Sequence, residues 1–288
     1  MTAPLLIFGQ TGQVARELAQ LAPDAIFLSR AEADLSNPES CAKAIHTHVP
    51  RAVINAAAYT AVDKAEEEAQ AQVINGEAPA TMARAAAELG CPFVHISTDY
   101  VFQGHGDAPW TPDDPTAPQN AYGHSKLAGE DGIRASGATY AILRTSWVFS
   151  THGNNFLKTM LRLSETRDAL SIVDDQIGGP TPAQSIAEAC LSIADQLQKD
   201  RGKSGTYHFS GAPDVSWKEF AKEIFDTADR KVAVSGIPTS NYPTPATRPL
   251  NSRLDCSALQ STFGILRPDW RIATQTIIDQ LRRMGEIE

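Results

Sequence analysis

The sequence is short of the features that mark several classes of protein. Its 288 residues hold four cysteines, Cys41, Cys91, Cys190 and Cys256, spread far apart and with no Cys-x-x-Cys pair. They read as reduced, mostly buried thiols of a cytoplasmic protein. No apolar run approaches the ~20 residues needed to cross a bilayer. The N-terminal stretch shows neither a basic leader region nor a small-residue cleavage site, so neither a membrane span nor a secretory signal is expected. Basic residues are in deficit, 25 Lys and Arg against 34 Asp and Glu for a net charge of −9. That balance argues against a nucleic-acid or membrane-surface partner, whose footprint would be a basic patch. Also missing are a G-x-S-x-G nucleophile elbow, an H-E-x-x-H zinc motif and a Walker lysine motif. His46-Thr47-His48 closes a polar helix without neighbouring ligands, and Glu66-Glu67-Glu68 reads as a charged helical face near an N-terminus.

What is present is an ordinary globular composition, 42% hydrophobic, in a chain long enough for one large domain or two and for a core that needs no disulfide or metal. The first half alternates short apolar runs with helical stretches. Strands are expected at Leu5–Phe8, Ala25–Leu28, Ala52–Asn55, Phe93–Ser97 and Tyr140–Arg144. Helices fit Gly12–Leu21, Pro38–His48, Ala65–Leu89 (interrupted near Asn75-Gly76 and Pro79) and Ala121–Ala135. Strands of Ile, Val, Leu and Ala without polar alternation suit a parallel sheet covered on both faces, hence a doubly wound, Rossmann-like α/β domain. After about residue 150 Pro and Gly cluster, at 178–182 and again at 238–249. Helices there are expected at Ala183–Gln198, Trp217–Ala228 and Thr274–Met284, with a strand at Thr206–Phe209. The expected organisation is a dinucleotide-binding domain over 1–150 plus about 182–211, and a smaller substrate-binding lobe over about 151–181 and 212–288.

The first strand runs into Gly9-Gln10-Thr11-Gly12-Gln13-Val14-Ala15 and then a helix. Strand, glycine turn and helix is the device that aims helix N-terminal amides at a pyrophosphate, although glycines after a strand also occur as a plain turn. At the end of the second strand a carboxylate would choose NAD and an arginine would accept a 2′-phosphate. The chain offers Ser29-Arg30, with Asp34 and Leu35 placed near the adenine, so NADPH is the preferred cofactor and NADH remains open. Asn55-Ala56-Ala57-Ala58-Tyr59-Thr60 closes the third strand with small residues that let a flat ring or ribose lie against the backbone, or that serve close helix–sheet packing.

Tyr122-Gly-His-Ser-Lys126 is a Y-x-x-x-K on an expected helix, which puts phenol and ammonium on one face. A nearby ammonium is expected to lower the phenol from its ordinary ~10 and make it a useful proton donor. Thr98, at the carboxyl end of the strand Phe93–Ser97, can hydrogen-bond a carbonyl oxygen where charge develops. A hydroxyl at a strand end followed by Y-x-x-x-K, behind a dinucleotide turn, forms one catalytic arrangement.

These residues resemble the extended short-chain dehydrogenase/reductase superfamily and, within it, the dTDP-4-dehydrorhamnose reductase family. The likeness also rests on Asn55 through Asp63-Lys64-Ala-Glu66, Ser97 through Phe102, Arg144-Thr145-Ser146-Trp147-Val148, Gly153-Asn154-Asn155-Phe156 and Tyr242 through Ser252. It implies reduction of the C4 keto group of dTDP-4-dehydro-L-rhamnose, with Tyr122 as proton donor, Lys126 on the nicotinamide ribose and Thr98 on the keto oxygen. It further implies Gly9, Gly12, Gln13 and Val14 at the cofactor phosphates, and Ala57, Ala58, Tyr59 and Thr60 beside the cofactor's other half. Asp99 and Trp147 would meet the sugar, and Asn155 and Arg248 the dTDP portion. Some members build a magnesium site between subunits. Glu17 fits one such position, but Gln184 and Gln280 stand where the other carboxylates are expected, and neutral amides hold a hard dication poorly. Mg2+ is therefore not assigned, and monomer and homodimer both stay open. Two alternatives share the sequence features: a nucleotide-sugar epimerase or reductase of another keto-sugar, and a non-enzymatic NADP-binding subunit similar to the regulatory subunit of methionine adenosyltransferase.

Overall fold

Unbroken runs of Leu, Ile, Val and Phe can form strands only where both faces are covered, and the first half of the chain meets that condition. The structure, a computed structural model, describes residues 3–287, so the expected domain limits at residues 1 and 288 lie outside the described residues. In chain order come β1 (Leu5–Phe8), α1 (Gln13–Leu21), β2 (Ile26–Leu28), α2 (Pro38–His48), β3 (Ala52–Asn55), α3 (Gln70–Gln72), α4 (Ala78–Leu89), β4 (Phe93–Thr98), α5 (Ala121–Arg134) and β5 (Tyr140–Thr145). The second half adds β6 (Val148–Phe149), α6 (Phe156–Ser164), β7 (Ala169–Val173), β8 (Ile177–Gly178), β9 (Thr181–Pro182), α7 (Ala183–Lys199), β10 (Gly205–His208) and β11 (Val215–Ser216). It ends with α8 (Trp217–Thr227), β12 (Ala233–Ile237), β13 (Asn251–Ser252), α9 (Ser257–Phe263) and α10 (Trp270–Arg283).

Six strands pair in parallel in the order β10-β5-β4-β3-β1-β2. Alternation along each strand sends side chains to opposite faces. From β1, Leu5 and Ile7 meet Leu18 of α1, Ile186 and Ile193 of α7, and Leu259 and Phe263 of α9. Leu6 and Phe8 meet Ile45 of α2, Met82 of α4 and Ile133 of α5. The strand order reverses between β1 and β3, which opens a crevice at their carboxyl ends, the place where open α/β sheets bind ligands.

The later chain builds its own core around Phe149, Leu157, Leu161, Phe220, Phe225, Trp270 and Ile278. Small sheets pair β12 with β7, β8 with β11 and β13, and β6 with β9. Sequence reasoning misses α6 and α9. Asn155 caps α6 by accepting from the Lys158 amide at 3.1 Å, a signal hidden in the Gly-Asn-Asn loop. The helix read as starting at Thr274 begins at Trp270, because Asp269 accepts from the Arg271 amide at 3.0 Å and caps it one turn earlier. The interruption foreseen near Asn75-Gly76 is a π turn over Val73–Glu77 between α3 and α4.

Helix α5 packs unusually close to its neighbours, and two glycines allow it. A Cβ at Gly123 would lie 2.3 Å from the Tyr100 carbonyl oxygen, and one at Gly129 would lie 2.1 Å from that of Asn75. Backbone cannot retreat as a flexible side chain does, so overpacking here moves the helix. Gly129→Ala is expected to lower unfolding free energy by about 1–3 kcal/mol despite alanine's better helix propensity, measured by urea denaturation.

Candidate active site

The turn after β1 is shaped for close backbone approach. Gly9 has φ +109°, and a Cβ there would sit 3.4 Å from the Ala56 backbone. Gly12 caps α1 with no side-chain hydrogen bond and no acidic residue in the first turn, so the helix's amides stay open to an anion. A diphosphate fits this cradle. Gln13 contributes its backbone here. Its side chain turns away, donating to the Val148 carbonyl at 3.3 Å and accepting from Ser150 Oγ at 2.8 Å. The Val14 side chain is buried in the core against α7.

The end of β2 is more mixed than its sequence suggests. Arg30 is exposed and donates from Nε to Asp34 at 3.2 Å. Asp34 also accepts from the Ser36 amide, which holds its carboxyl below the usual range. Both the amide and the hydroxyl of Ser29 donate to Glu32, at 2.8 and 2.7 Å. Ser29 is thus occupied by a carboxylate that sequence reasoning overlooked. Leu35 is buried under α2.

The loop after β3 is held from the π turn. Asn75 accepts from the Tyr59 amide and donates to the Tyr59 carbonyl, both at 2.9 Å, and donates to Ser125 Oγ on α5 at 3.0 Å. Ala57 donates its amide to Asn55 Oδ1 at 3.1 Å. Ala58 and Thr60 face outward. The Tyr59 phenol donates to Glu68 at 2.6 Å, which pushes it up to about 12.

At the carboxyl edge of β4, Thr98 is buried, its hydroxyl donating to Asp99 at 3.2 Å and accepting from the Tyr100 amide at 3.2 Å. Asn120 caps α5 by accepting from the Gly123 amide at 2.7 Å, so Tyr122 opens the helix and Lys126 follows one turn on. The expected lowering of the phenol does not hold. Burial pushes Tyr122 up to about 12 and the Asp99 carboxylate adds to it, with the Thr98 hydroxyl opposing. The reason is geometric: the Lys126 amine points into the protein, donating to the Ile96 carbonyl at 2.7 Å and lying 3.0 Å from His95 Nε2. Burial lowers Lys126 itself to about 8. A phenol this weakly acidic remains protonated at neutral pH.

Asp99 is 3% exposed and burial raises its carboxyl to about 6. Its Oδ2 has no partner, and neither have the buried hydroxyls of Thr145 and Ser252. Thr145 stands beside Thr98 on the neighbouring strand. Ser252 lies beside Asp99, close enough to ease its charge but out of line for a hydrogen bond. Leaving such groups unpaired costs about 1–3 kcal/mol each, so their clustering at the rim marks a place where a polyhydroxy ligand belongs.

A strip of the second lobe closes over this edge. Arg248 donates to Asp63 at 2.8 Å, Ala246 donates its amide to Asp63 at 3.1 Å, Asn120 donates to the Thr247 carbonyl at 2.8 Å, and Asn251 donates its amide to the Gly104 carbonyl at 2.9 Å. Trp147 takes a left-handed φ of +50° and stacks on Trp217 at 3.6 Å. Besides capping α6, Asn155 donates to Gln13 Oε1 at 3.0 Å and to the Ser150 carbonyl at 2.8 Å, so its amide joins α1 to the second lobe and is not free. Glu17 lies 3.4 Å from His152, and burial, then Glu188, raises its carboxyl. Gln184 donates to Glu188 at 3.0 Å, and Gln280 lies on α10. Among the described residues no three or more His, Cys, Asp or Glu side chains are grouped to hold a metal ion.

Comparison with known proteins agrees with this geometry. The model of the family described as the RmlD substrate binding domain matches residues 2–283. A dTDP-4-dehydrorhamnose reductase of Burkholderia thailandensis is 44% identical, over 96% of this chain and 98% of its own. One of Sinorhizobium fredii is 42% identical, over 98% and 99%. The crystal structure of the Bacillus anthracis reductase in complex with NADP superposes with a TM-score of 0.89 at 34% identity, covering 97% of this chain and 100% of that one. The chain belongs to the dTDP-4-dehydrorhamnose reductase family.

Within that family frame, sequence reasoning gave no part to His95, Glu130, Asn75 and Trp217, and it named Ser97, Arg144, Thr145 and Ser252 only within the stretches that carry the likeness, with no role as supports. Most are single polar residues inside apolar runs, and only the alternation of β4 opposite the four-residue period of α5 could have paired them.

Asp99 supplies a stability test with a defined sign. Its folded pKa of about 6 exceeds the reference 3.8, so its contribution is fully present below about pH 4 and is lost as pH rises to 6. Asp99→Asn should gain about 2–3 kcal/mol at pH 8 and almost nothing at pH 4, by denaturant titration at both.

Proposed function

We propose that the protein reduces the C4 keto group of dTDP-4-dehydro-L-rhamnose to give dTDP-L-rhamnose, using NADPH. The observation that carries this reading is the Thr98 hydroxyl beside the Tyr122 phenol at the carboxyl end of β4, with Lys126 one turn on along α5 and the amides of the Gly9–Gly12 turn open at the carboxyl end of β1. Family membership supports the substrate, and the NADP bound by the Bacillus anthracis relative supports the cofactor.

When bound at this edge, a reduced nicotinamide would supply the hydride. Thr98 donates to the keto oxygen, and Tyr122 gives that oxygen its proton. Lys126 keeps one donor on the Ile96 carbonyl and would offer another to the nicotinamide ribose. Gly9, Gly12 and the backbones of Gln13 and Val14 receive the diphosphate, Ala57 to Thr60 line the nicotinamide half, and Ser29, Arg30, Asp34 and Leu35 surround the adenosine. Asp99, with Thr145 and Ser252, satisfies sugar hydroxyls, and Trp147 covers the ring. Arg248 exchanges Asp63 for the substrate's diphosphate, a bidentate partner for its guanidinium. Asn155 acts by holding Gln13. In this reading residues 1–150 and about 182–211 bind the nucleotide cofactor and the rest forms the substrate lobe. No helix is long and apolar enough to cross a membrane among the described residues, and a cytoplasmic site of action, as a monomer or homodimer, suits a nucleotide-sugar enzyme.

Tyr122→Phe should reduce kcat on dTDP-4-dehydrorhamnose by about 10²–10⁴-fold while NADPH affinity, read by fluorescence titration, stays within about twofold. Undiminished turnover would remove Tyr122 as the acid.

The 2′ position of the cofactor is contested by Arg30 and Glu32. Arg30→Ala should cut the NADPH-over-NADH ratio of kcat/KM by about tenfold, the size of one charge-assisted hydrogen bond. Glu32→Gln should raise that ratio.

A further inference from the structure

The side of α5 that carries Tyr122 and Lys126 continues to Glu130, and β4 presents His95 and Ser97 to it. Ser97 donates to Glu130 at 2.6 Å. His95, 1% exposed, lies between Asn55 of β3 and Lys126, with Nδ1 3.1 Å from Asn55 Nδ2 and Nε2 3.0 Å from Lys126 Nζ. The polarity of this chain follows from its far end. The Ala57 amide can only donate, so the Asn55 atom it meets is Oδ1, and the other end of that amide, facing His95, is the NH2 group. Nδ1 of His95 is therefore an acceptor. Burial keeps the ring neutral, its pKa well below the usual value, so its single proton sits on Nε2, against Lys126.

An ammonium has three donors and no lone pair, and an N–H facing it is a donor against a donor. The contact becomes a hydrogen bond when Lys126 is an amine, accepting from Nε2–H and donating to the Ile96 carbonyl at 2.7 Å. We infer that His95, oriented by Asn55, is a positioning residue that stabilises the amine form of Lys126. This rests on the reading of Tyr122 as proton donor. The amine is what remains when Lys126 restores, through a bridging water or ligand hydroxyl, the proton that Tyr122 gives to the substrate oxygen: a Lys126 N–H bond breaks, the bridging hydroxyl passes its own proton on and takes that one, the phenol O–H re-forms, and the His95 N–H stays intact. Burial favours the neutral amine of Lys126 and the neutral phenol of Tyr122 alike. The groups around Lys126 are Glu130 on its own helix and His95 on β4, with the uncharged Asn55 behind that ring, Tyr122 one helical turn earlier and Asp99 beside the phenol. Glu130 favours the ammonium, but its charge is shared with Arg144 and Arg134.

The test reads the ring directly. In full-length protein labelled with 15N-histidine, with the His95 signals assigned by their loss in His95→Phe, wild type should show Nδ1 bare and Nε2 protonated throughout pH 6–9. A proton on Nδ1 overturns the proposal. Asn55→Asp presents only oxygen to the ring, so the proton should move to Nδ1 and Nε2 should accept from the ammonium. The alkaline limb of the kcat profile should then rise by about one pH unit relative to wild type, and His95→Phe should shift it in the same direction. A loss of rate with the limb unmoved would reduce His95 to a packing role and overturn the inference. Should Asn55→Asp fail to fold, His95→Phe and the wild-type spectrum still decide; should His95→Phe fail to fold, His95→Gln supplies the assignment. Absence of turnover in wild type would refute the proposed reaction and leave the tautomer measurement standing.

Discussion

The site depends on a carboxylate with no access to water. Glu130 is 0% exposed and accepts from Arg144 Nε at 2.9 Å and Nη2 at 2.7 Å, from Ser97 at 2.6 Å and from Arg134 at 2.6 Å. Arg144 in turn lies over the Phe102 ring and reaches His208, whose Nδ1 donates to the Trp110 carbonyl at 2.9 Å. Burial and the Arg144 charge hold that histidine down to about 3, so it stays neutral. A buried ion pair is a poor way to gain stability over apolar packing, because desolvation offsets most of the attraction. What it provides is placement: a planar guanidinium and a carboxylate fit together in one orientation. Helix α5 is thereby fixed along its axis against β4 and β5, and the loop that follows Thr98 is fixed by the same arginine. Donor and polariser of the proposed reaction share one anchor.

Distance matters as much as orientation. Lys126 reaches a strand carbonyl only because α5 sits almost against the sheet and against the π turn, and the hydrogen side chains of Gly123 and Gly129 permit that. Glycine in a helix interior sacrifices about 1 kcal/mol relative to alanine. The return is a buried polar seam in which each polar residue of β4 meets one turn of α5, His95 against Lys126 and Ser97 against Glu130. The π turn takes part as well, since it aims Asn75 at the Tyr59 backbone and at Ser125, tying the loop beside the proposed nicotinamide position to the helix that carries the acid.

The sheet was legible because β1, β2 and β3 and the starts of β4 and β5 are apolar runs, and burial on both faces leaves little other choice. Thr98, Tyr122 and Lys126 were legible for a different reason: a strand end and a helical period place them without any tertiary knowledge. The supports were not. His95 and Ser97 look like interruptions of an apolar strand, and Glu130 like one more surface charge, until α5 is laid across β4. Glu32 escaped notice because its meaning lies in a local turn, where it occupies the Ser29 amide and hydroxyl. The Tyr122 shift was misjudged in sign because spacing puts an ammonium one turn away but says nothing of where the amine points. The short strands of the second lobe, two residues each in β6, β8, β9, β11 and β13, carry no periodicity to read.

The second lobe shows how strain at the rim is sustained. Trp147 follows directly on β5 and holds a left-handed backbone that a residue with a Cβ adopts at a cost of about 1–2 kcal/mol. Three contacts over-determine it. Its ring stacks on Trp217, which donates to Gln176 at 3.0 Å; its carbonyl accepts from the Thr181 amide at 3.1 Å; and its edge lies on Gly178, where a Cβ would come within 3.0 Å. Each contact comes from the second lobe, while the residue itself belongs to the loop leaving the main sheet. The aromatic wall of the cleft is therefore set by the docking of the lobe and not by the sheet. The unpaired Thr145 hydroxyl, two residues earlier, remains part of the rigid strand. Trp147 can therefore be re-aimed through the second-lobe residues that prop it, with the Glu130–Arg144 anchor untouched.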